Sequence, residues 1–436
     1  MDKIALTIDK KKIVVDKDTT ILQAALQYNI YIPHLCFHPD LEPVAVCRLC
    51  IVEIEGRGLV TSCNTKVEQG LIVKTTSDEV NGLRKVSAEL LIANHHIECL
   101  DSFEETGCRL KQIADFLGIK QKDLKRLRPP GKRRTVDTSN PFFDRDPNQC
   151  VLCGICVRTC DALQRVRAID FINRGYNAKI GTFADAPIEE SICESCGECV
   201  VRCPTGALSA KKFKKAEKNV RTTCPYCGVG CGMYLGIKNG KVVSVSGDKD
   251  SPVNKGSLCV KGRFGYGFVN HPERLGAPLI KKEGEFVETS WDEALETIAR
   301  RFSGHKGDSF AVLSSAKCTN EDNYIVQKFT RAVMGTNNID HCARLCHAPT
   351  VAGLAQSFGS GAMTNSINEI ESTSCIFAIG TNTTAAHPVI AMKMKRAVAA
   401  GTKLIVANPK EIDLCRYGDI FLQHTPGSDV ALMMGM

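Results

Sequence analysis

The sequence has no uninterrupted apolar run near the ~20 residues that a membrane-spanning helix needs. Its first residues, MDKIALTIDKKK, resemble neither a signal peptide nor a twin-arginine leader, so we expect a cytoplasmic protein. No G-x-G-x-x-G motif is present, which leaves NAD binding by this chain without support. The formal net charge of +8 is weak evidence for nucleic-acid binding, because basic residues gather in two linker-like runs, Lys125–Arg134 and Lys211–Lys218.

Cysteine, by contrast, is abundant, with 23 residues in a chain of 436. In a long chain without a leader, this abundance indicates metal sites rather than disulfides. The densest stretch reads CVLCGICVRTC and then CESCGECVVRCP, and each half has the spacing C-x2-C-x2-C-x3-C. This spacing is typical of two [4Fe–4S] clusters in a bacterial-type ferredoxin, where the fourth cysteine of each half serves the other cluster. A zinc-stapled fold is the weaker alternative, because a closed zinc site needs only one quartet. The expected ligand sets are Cys150, Cys153, Cys156 and Cys203 for one cluster, and Cys193, Cys196, Cys199 and Cys160 for the other.

Residues 1–80 predict a small β-rich domain. Two alternating segments, IALTID and KIVVD, predict strands around a turn at Lys10–Lys11, and Asp18 or Thr19 is the expected cap of a helix over TILQAALQ. Four cysteines follow at a spacing that suits a [2Fe–2S] site, although a zinc site is an alternative on spacing alone. These cysteines are Cys36, Cys47, Cys50 and Cys63.

The segment 81–120 predicts a helix over RKVSAELLIANHH, with its apolar positions at Val86, Leu90, Leu91 and Ala93. Histidine and cysteine follow it as His95, Cys99 and Cys108, with Ser102 between the cysteines. A further quartet, Cys224, Cys227, Cys231 and Cys259, has the spacing of another cubane cluster. Asn239–Gly240 then predicts a tight hairpin.

The C-terminal part changes to an α/β pattern. SFAVLSSA predicts a strand, Thr319 caps a helix that Gly335 ends, and SCIFAIG predicts a buried strand. A helix over HPVIAMKMKRAVAAG and the strand KLIVANP complete a parallel crossover, whose strand ends are where open sheets bind nucleotides. Four leftover cysteines without matching partners are interpreted as buried packing residues: Cys318, Cys342, Cys375 and Cys415.

The stretch PHLCFHPDLEPVAVCRLCIVEI resembles the N-terminal domain of the complex I G subunit and of iron hydrogenases. That resemblance implies a β-grasp [2Fe–2S] domain, followed by a [4Fe–4S] cluster with one histidine and three cysteines. Here Ser102 replaces the middle cysteine. A serine oxygen is a harder and less acidic ligand than a thiolate, so a weakened cluster and an empty or remodelled site stay equally open.

The segment from Cys224 to Lys261 resembles the entry to molybdopterin enzymes of the DMSO-reductase class, which implies that Lys261 lies between cluster and pterin. The stretch RLCHAPTVAGL resembles the molybdenum or tungsten formate dehydrogenases, in which a cysteine binds the metal and a histidine follows it. In this chain these residues are Cys346 and His347. The whole chain is similar to the catalytic subunit of NAD(P)-linked formate dehydrogenases that carry a complex-I-like N-terminal extension. Nucleotide contacts to a molybdopterin guanine dinucleotide are implied at Gly380, Thr381, Asn382, Asn408, Gly427, Ser428 and Asp429.

The resemblance implies formate oxidation to CO2 at a molybdenum or tungsten bis(molybdopterin guanine dinucleotide) centre. Electrons would pass along the clusters to a flavin and iron–sulfur partner resembling the complex I E and F subunits, and so to NAD(P) or ferredoxin. Two alternatives stay open: a complex-I-like electron-transfer scaffold with a non-catalytic pterin domain, and another molybdenum oxidoreductase such as a nitrate reductase. The chain stops at DVALMMGM, where members of the family continue, so we expect an incomplete catalytic domain.

The predicted fold is therefore multidomain, with α/β and α+β parts. Its expected domains are a β-grasp [2Fe–2S] domain at 1–80, a helical His/Cys segment at 81–120, a two-cluster ferredoxin module at 140–210, a β-rich [4Fe–4S] domain at 220–275 and an incomplete, doubly wound molybdopterin oxidoreductase domain at 276–436.

Overall fold

The computed structural model describes residues 3–93, 95, 108–120, 134–212 and 214–436. The chain divides into two compact units, one made of Met1–Tyr266 with Ile370–Met436 and the other of Gly267–Glu369. Within the described ranges, no helix combines the length and the apolar character required to cross a membrane.

The N-terminal domain is a five-stranded sheet in the order β2-β1-β5-β3-β4, in which β1 and β5 are parallel and the other pairs are antiparallel. Asp9 and Lys10 form the first turn with positive φ angles, one residue earlier than predicted. Helix α1 begins after Thr20, whose hydroxyl and Gln23 form a capping box, so the predicted caps at Asp18 or Thr19 are wrong. The elements are β1 Lys3–Ile8, β2 Lys11–Asp16, α1 Ile21–Gln27, β3 Ile51–Ile54, β4 Gly58–Thr61 and β5 Ile72–Lys74.

Helix α2 spans Asp78–Ala93, so it begins six residues before the predicted segment RKVSAELLIANHH and ends inside it, and it buries a different face. Val86 and Leu90 are 53% and 59% exposed, whereas Arg84 is 1% exposed. The Arg84 guanidinium donates hydrogen bonds to the carbonyl oxygens of Thr75, at 2.8 Å, and Ile51, at 2.5 Å. This buried cation anchors the helix to the sheet and turns the predicted apolar face outward. The buried face consists of Val80, Arg84, Ala88 and Ile92.

The two-cluster module is built from two antiparallel strand pairs, β6 with β9 and β7 with β8. Each cysteine motif continues into a short helix that follows a glycine in the left-handed region: Gly154 precedes α4 and Gly197 precedes α5. The bounds, including α3 ahead of the module, are α3 Arg109–Phe116, β6 Phe143–Arg145, α4 Ile155–Arg158, β7 Asp170–Ile172, β8 Lys179–Gly181, α5 Glu198–Arg202 and β9 Leu208–Ala210.

A three-stranded antiparallel sheet, β10-β11-β12, follows the module. Its hairpin turns at Asn239 and Gly240, which have φ angles of 50° and 72°, so the hairpin prediction is confirmed. Helix α6 begins directly after Cys259. The bounds are β10 Lys218–Thr223, β11 Gly232–Lys238, β12 Lys241–Gly247 and α6 Val260–Phe264.

The smaller unit, Gly267–Glu369, holds an antiparallel pair, β13 with β14, and a parallel pair, β15 with β16. Thr319 caps the helix after β15 through a capping box with Asp322, as predicted. Cys318 and Cys342 are exposed, which contradicts their interpretation as buried residues. The bounds are β13 Leu279–Lys282, β14 Glu285–Glu288, α7 Trp291–Phe302, β15 Val312–Ser314, α8 Asn320–Lys328, β16 Ile339–His341, α9 Ala343–Cys346 and α10 Ala348–Phe358.

The C-terminal residues of the larger unit form a parallel sheet in the order β17-β18-β19. The predicted strand–helix–strand crossover is confirmed, and Leu404, Val406 and Leu414 form its fully buried core. Strand β17 is less buried than predicted, because only Ala378 is fully covered; Cys375 is exposed. The bounds are β17 Cys375–Ile379, α11 Thr383–Ala386, α12 Pro388–Ala399, β18 Lys403–Ala407, β19 Ile420–Leu422 and α13 Asp429–Gly435.

Candidate metal centres

Four buried thiols lie together beside the N-terminal sheet, on the loops around β3 and β4. A hydrogen bond pairs Cys36 with Cys47, and another pairs Cys50 with Cys63. The bond from Cys36 lowers the pKa of Cys47 to about 6, and the bond from Cys63 lowers that of Cys50. The partner thiols Cys36 and Cys63 have raised pKa values for the same reason. Iron is bound by the thiolate form, so a [2Fe–2S] cluster at this site requires all four thiols to lose their protons.

The first cubane set surrounds one cavity in the ferredoxin module. The structure brings the distant Cys203 beside Cys150, Cys153 and Cys156, which is the crossed arrangement that the spacing predicts. Burial raises the pKa of Cys150 to about 11 and that of Cys153 to about 12. The backbone N–H of Leu152 points at the Cys150 sulfur, 3.4 Å away.

The second cubane set surrounds a separate cavity in the same module. Here Cys160 joins the three cysteines of the second motif, and burial raises the pKa of Cys196 to about 12. Backbone N–H groups of Ala168 and Ser195 point at the sulfurs of Cys160 and Cys193, at 3.3 and 3.4 Å. The cavity is lined by Cys160, Cys193, Cys196 and Cys199, among others.

The third cubane set lies between the β10-β11-β12 sheet and helix α6. Its four cysteines line one cavity, and burial raises the pKa of Cys231 to about 12. Lys261 follows in α6, and its Nζ atom donates to the carbonyl oxygen of Ala385 at 3.4 Å. Lys261 also lines a cavity of about 250 Å³ that reaches from Cys196 to Cys259. The four cysteines are Cys224, Cys227, Cys231 and Cys259.

These arrangements fit iron–sulfur clusters. Each of the three cubane quartets surrounds a cavity instead of one point. Within the described ranges, no three His, Cys, Asp or Glu side chains converge closely enough for a single metal ion. The raised pKa values of the buried cubane thiols mean that cluster binding must displace protons. The N–H groups aimed at sulfur would stabilise the resulting thiolates.

The His/Cys segment is only partly described. The Nε2 atom of His95 lies 3.7 Å from the sulfur of Cys108, and both residues are buried. The predicted partners Cys99 and Ser102 lie outside the described residues. The structure therefore brings together one imidazole and one thiol of this predicted site.

The cysteine sets follow one another within the larger unit. Cys47 of the N-terminal set is close enough to Cys153 to raise its pKa further, after the effects of burial and of Cys203 and Cys150. Within the ferredoxin module, Cys199 of the second set raises the pKa of Cys156 of the first set, after the effects of burial and of the three other thiols of the first set. Cys196 and Cys259, from the second and third cubane sets, line the same 250 Å³ cavity. The four sets thus form an unbroken series.

The predicted nucleotide-binding residues gather at one edge of the parallel sheet. Gly380 follows β17, and Asn408 follows the neighbouring β18, so both lie at carboxyl ends of parallel strands. The Asn408 side chain donates to the Lys410 carbonyl oxygen at 2.5 Å, which holds it within its own loop. Thr381 pairs its hydroxyl with Thr383, at 2.9 Å. Gly427, with a φ angle of 85°, Ser428 and Asp429 form the loop that leads from β19 into α13, and Asn382 precedes α11.

Cys346 and His347 lie in the smaller unit, at the junction between α9 and α10. Both are exposed. The His347 N–H donates to the Ala343 carbonyl oxygen at 3.0 Å, and the His347 carbonyl oxygen accepts from Val351 at 3.1 Å. The backbone thus fixes the pair at a break between two helices, with an accessible thiol beside an accessible imidazole.

Sequence reasoning missed the charged residues that join the sets. Glu198, Arg202 and Arg263 form a buried ion-pair cluster, and Arg158 donates to the carbonyl oxygen of Cys36. One signal was available, because Glu198 is a carboxylate between Cys196 and Cys199 within a cysteine motif. Its partners lie far away in sequence and could not be inferred from spacing.

Four families match consecutive parts of the chain. Residues 1–78 match the 2Fe-2S iron-sulfur cluster binding domain, and residues 149–207 match the 4Fe-4S dicluster domain. Residues 217–271 match the molybdopterin oxidoreductase Fe4S4 domain, and residues 274–436 match the molybdopterin oxidoreductase family. The chain therefore carries a 2Fe-2S domain, a 4Fe-4S dicluster domain and two molybdopterin oxidoreductase domains, and the resemblance to this class of proteins is confirmed. The predicted fold class and cofactor types are confirmed with it.

Among curated relatives, two Staphylococcus aureus proteins, from strains MRSA252 and USA300, are each named "Putative formate dehydrogenase". Each is 32% identical over 479 residues, which cover 99% of this chain and 48% of the relative. The chain thus spans about half the length of the curated relatives it matches. A solved structure of an NAD+-reducing [NiFe]-hydrogenase in the H2-reduced state is 31% identical, with a TM-score of 0.44. The match covers 48% of this chain and 87% of the hydrogenase chain.

Proposed function

We propose that this chain is part of the catalytic subunit of a formate dehydrogenase, which can also run in reverse as a CO2 reductase. The observation that carries the proposal is the unbroken series of four cysteine sets in a chain that also presents the Cys346–His347 pair. A series of cluster sites serves to move electrons, and we infer that a two-electron oxidation at one end supplies them. The relatives named as formate dehydrogenases support this choice over other molybdopterin reactions.

The roles of the chain's own residues follow from their chemistry. A molybdenum or tungsten bis(molybdopterin guanine dinucleotide) group would supply the two-electron oxidation of formate to CO2 when bound. Cys346 would provide the protein ligand to that metal as a thiolate. His347 would accept the proton that formate oxidation releases, because an imidazole nitrogen can act as a general base and then as a general acid. The sheet-edge loops at Gly380, Asn408 and Gly427 would hold the nucleotide portion.

The electrons would then pass in the order in which the cysteine sets are packed. Lys261 lines the 250 Å³ cavity together with Cys259, so it would supply a cation beside the Cys224–Cys259 set and favour the extra negative charge of a reduced cluster. The two ferredoxin sets come next, and the N-terminal [2Fe–2S] set is last. From there a flavin and iron–sulfur partner, resembling the complex I E and F subunits, would reduce NAD(P) or ferredoxin. We expect the protein to act in the cytoplasm.

The deciding experiment is metal and pterin analysis of the protein purified anaerobically with its co-purifying subunits, combined with turnover assays. We expect molybdenum or tungsten with a guanine dinucleotide pterin, viologen reduction by formate, and no turnover of nitrate. Nitrate reduction without formate oxidation would replace the proposal with another molybdenum oxidoreductase. Iron–sulfur clusters without pterin or metal in that assembly would reduce the chain to an electron-transfer scaffold.

A further inference from the structure

A buried carboxylate joins the second and third cubane sets. Glu198 lies in the second ferredoxin motif, between Cys196 and Cys199, and is 1% exposed. Its Oε1 atom accepts a hydrogen bond from Arg263 and another from the Leu258 N–H at 3.1 Å. Leu258 directly precedes a cysteine of the third set, and Arg263 lies in the helix that follows that cysteine. One carboxylate oxygen therefore accepts hydrogen bonds from residues on both sides of Cys259, the last cysteine of the third set.

A second bond strengthens the same connection. The Nε atom of Arg263 donates to the carbonyl oxygen of Cys196, at 2.8 Å, so this guanidinium binds the second motif through both its backbone and its carboxylate. The Gly197 backbone also lies close against the side chains of Arg263 and Phe264. A Cβ atom on Gly197 would lie 2.5 Å from the Arg263 Cδ atom and 2.7 Å from the Phe264 ring, and Gly197 has a φ angle of 72°. The contact leaves room only for glycine at this position.

The other carboxylate oxygen reaches toward the N-terminal domain. Arg202 donates to Glu198 Oε2 and, with its second Nη atom, to Asp40 at 2.8 Å. Two carboxylates and two guanidiniums thus form one connected cluster with no net charge, which is the condition under which buried ions are tolerated. Glu198 occupies its centre and is the only member bonded to both arginines.

We propose that Glu198 is a positioning residue that fixes the separation between the cubane site of Cys160, Cys193, Cys196 and Cys199 and that of Cys224, Cys227, Cys231 and Cys259. The rate of electron transfer falls steeply with distance. A residue that fixes the separation of the two sites therefore sets the rate at which electrons cross between the two domains. The inference rests on the proposed function only in assuming that electrons pass between these two clusters during turnover. The spacing can be measured without any turnover.

The test compares Glu198→Gln with Glu190→Gln. The first replacement keeps the size of the side chain. An amide has only one acceptor oxygen, whereas both Arg202 and Arg263 donate to Glu198, so one of these two hydrogen bonds must be lost. The second removes an equal charge from an exposed position three residues before Cys193 and serves as the matched control. Iron content, the magnetic interaction between reduced clusters by pulsed electron paramagnetic resonance, and amide hydrogen exchange at Leu258 are measured in each holoprotein.

We expect Glu198→Gln to keep its iron but to weaken the interaction between the two cubanes and to speed exchange at Leu258 by about tenfold or more. Glu190→Gln should match the wild type in both. Unchanged magnetic interaction and unchanged Leu258 exchange in Glu198→Gln would overturn the proposal. If that variant loses its clusters, Arg263→Lys is measured against the same expected and contrary results, since lysine keeps the charge but cannot span Cys196 and Glu198 together. If the wild-type protein shows the magnetic interaction between the two reduced clusters but does not oxidise formate, the proposed function is refuted and this inference still stands.

Discussion

The Nδ1 atom of His95 lies 2.9 Å from the carbonyl oxygen of Gln149, while its Nε2 atom faces the sulfur of Cys108 at 3.7 Å. Because a carbonyl oxygen can only accept, Nδ1 carries the proton of the neutral ring. The lone pair on Nε2 is then directed at the thiol, and the ring orientation is fixed as it is in metal-ligating histidines. Gln149 directly precedes Cys150, so this half-site is joined to the first cubane set.

This geometry makes the Ser102→Cys variant informative. With imidazole and thiol already in place, restoring a thiolate at Ser102 should complete a cluster of one histidine and three cysteines. We expect up to about four additional iron atoms per chain and a new electron paramagnetic resonance signal on reduction. Ser102→Ala is the matched control and should add neither. If Ser102→Cys equals the wild type in iron and spectrum, a weakened site at this position is ruled out.

Replacement of the exposed Cys346 tests the metal ligand. Cys346→Ala should abolish formate oxidation while the iron content and cluster spectra stay those of the wild type, because all four cysteine sets lie in the other unit. Cys318→Ala removes another exposed thiol from the same unit and should keep full activity. Selenocysteine at position 346 should also preserve turnover. Formate oxidation by Cys346→Ala would show that this residue does not bind the metal.

Arg158 holds the N-terminal domain against the ferredoxin module. Its two Nη atoms donate to the carbonyl oxygens of Glu42, at 2.7 Å, and Cys36, at 2.6 Å. Arg158→Ala should lower the free energy of unfolding by about 1.5–3 kcal/mol, the range for a charge-assisted hydrogen bond, and alter the [2Fe–2S] spectrum. Arg174→Ala, at an exposed position of the same module, should change neither. Equal denaturation midpoints for the two variants would contradict the role of Arg158.

Asp137 should make the ferredoxin module sensitive to acid. Burial alone would raise its pKa, but hydrogen bonds from Ser139, the Ile188 N–H and Arg145 outweigh burial and lower it. A carboxyl with a lowered folded-state pKa stabilises the protein above its unfolded pKa of about 3.9, and that contribution is lost as the pH falls below this value.

The measurement is the difference in unfolding free energy between wild type and Asp137→Asn across about pH 6 to pH 3. We expect about 1–3 kcal/mol at the upper end, narrowing toward the lower end as the wild-type carboxyl protonates. Both proteins carry the same acid-labile clusters, so the effect of acid on the clusters cancels in the difference between them. A difference that stays constant over the whole range would show that the Asp137 charge does not contribute.

Much of the local structure could be read from the sequence. Asn239–Gly240 specified its hairpin, because both residues tolerate the positive φ angles that the turn requires. Within each C-x2-C pair, the spacing predicts neighbouring thiols, since a two-residue gap between cysteines forms a turn that places both sulfurs on one side. The alternation of strand and helix near the C-terminus determined a parallel sheet, because a crossover of that length returns the chain in the same direction.

Other features depended on which surfaces meet. The apolar pattern of α2 favoured a face containing Val86 and Leu90, yet Arg84 and its two carbonyl partners decided which side is buried. The leftover cysteines were expected in the core, but Cys318 and Cys342 are exposed on the connections between elements of the smaller unit, and Cys375 is exposed at the start of β17.

The sequence by itself therefore determined the Asn239–Gly240 turn, the parallel pairing of the two strands that flank α12 and the local C-x2-C spacing of the cysteines, all of which follow from short-range backbone geometry. Only the tertiary structure decided that Glu198 meets Arg263 and Leu258, and that Arg158 reaches Cys36. Those contacts join residues 60 to 122 positions apart. No local pattern encodes such a pairing, because a charged side chain can be buried only where folding has brought its counter-ion and hydrogen-bond partners to the same place.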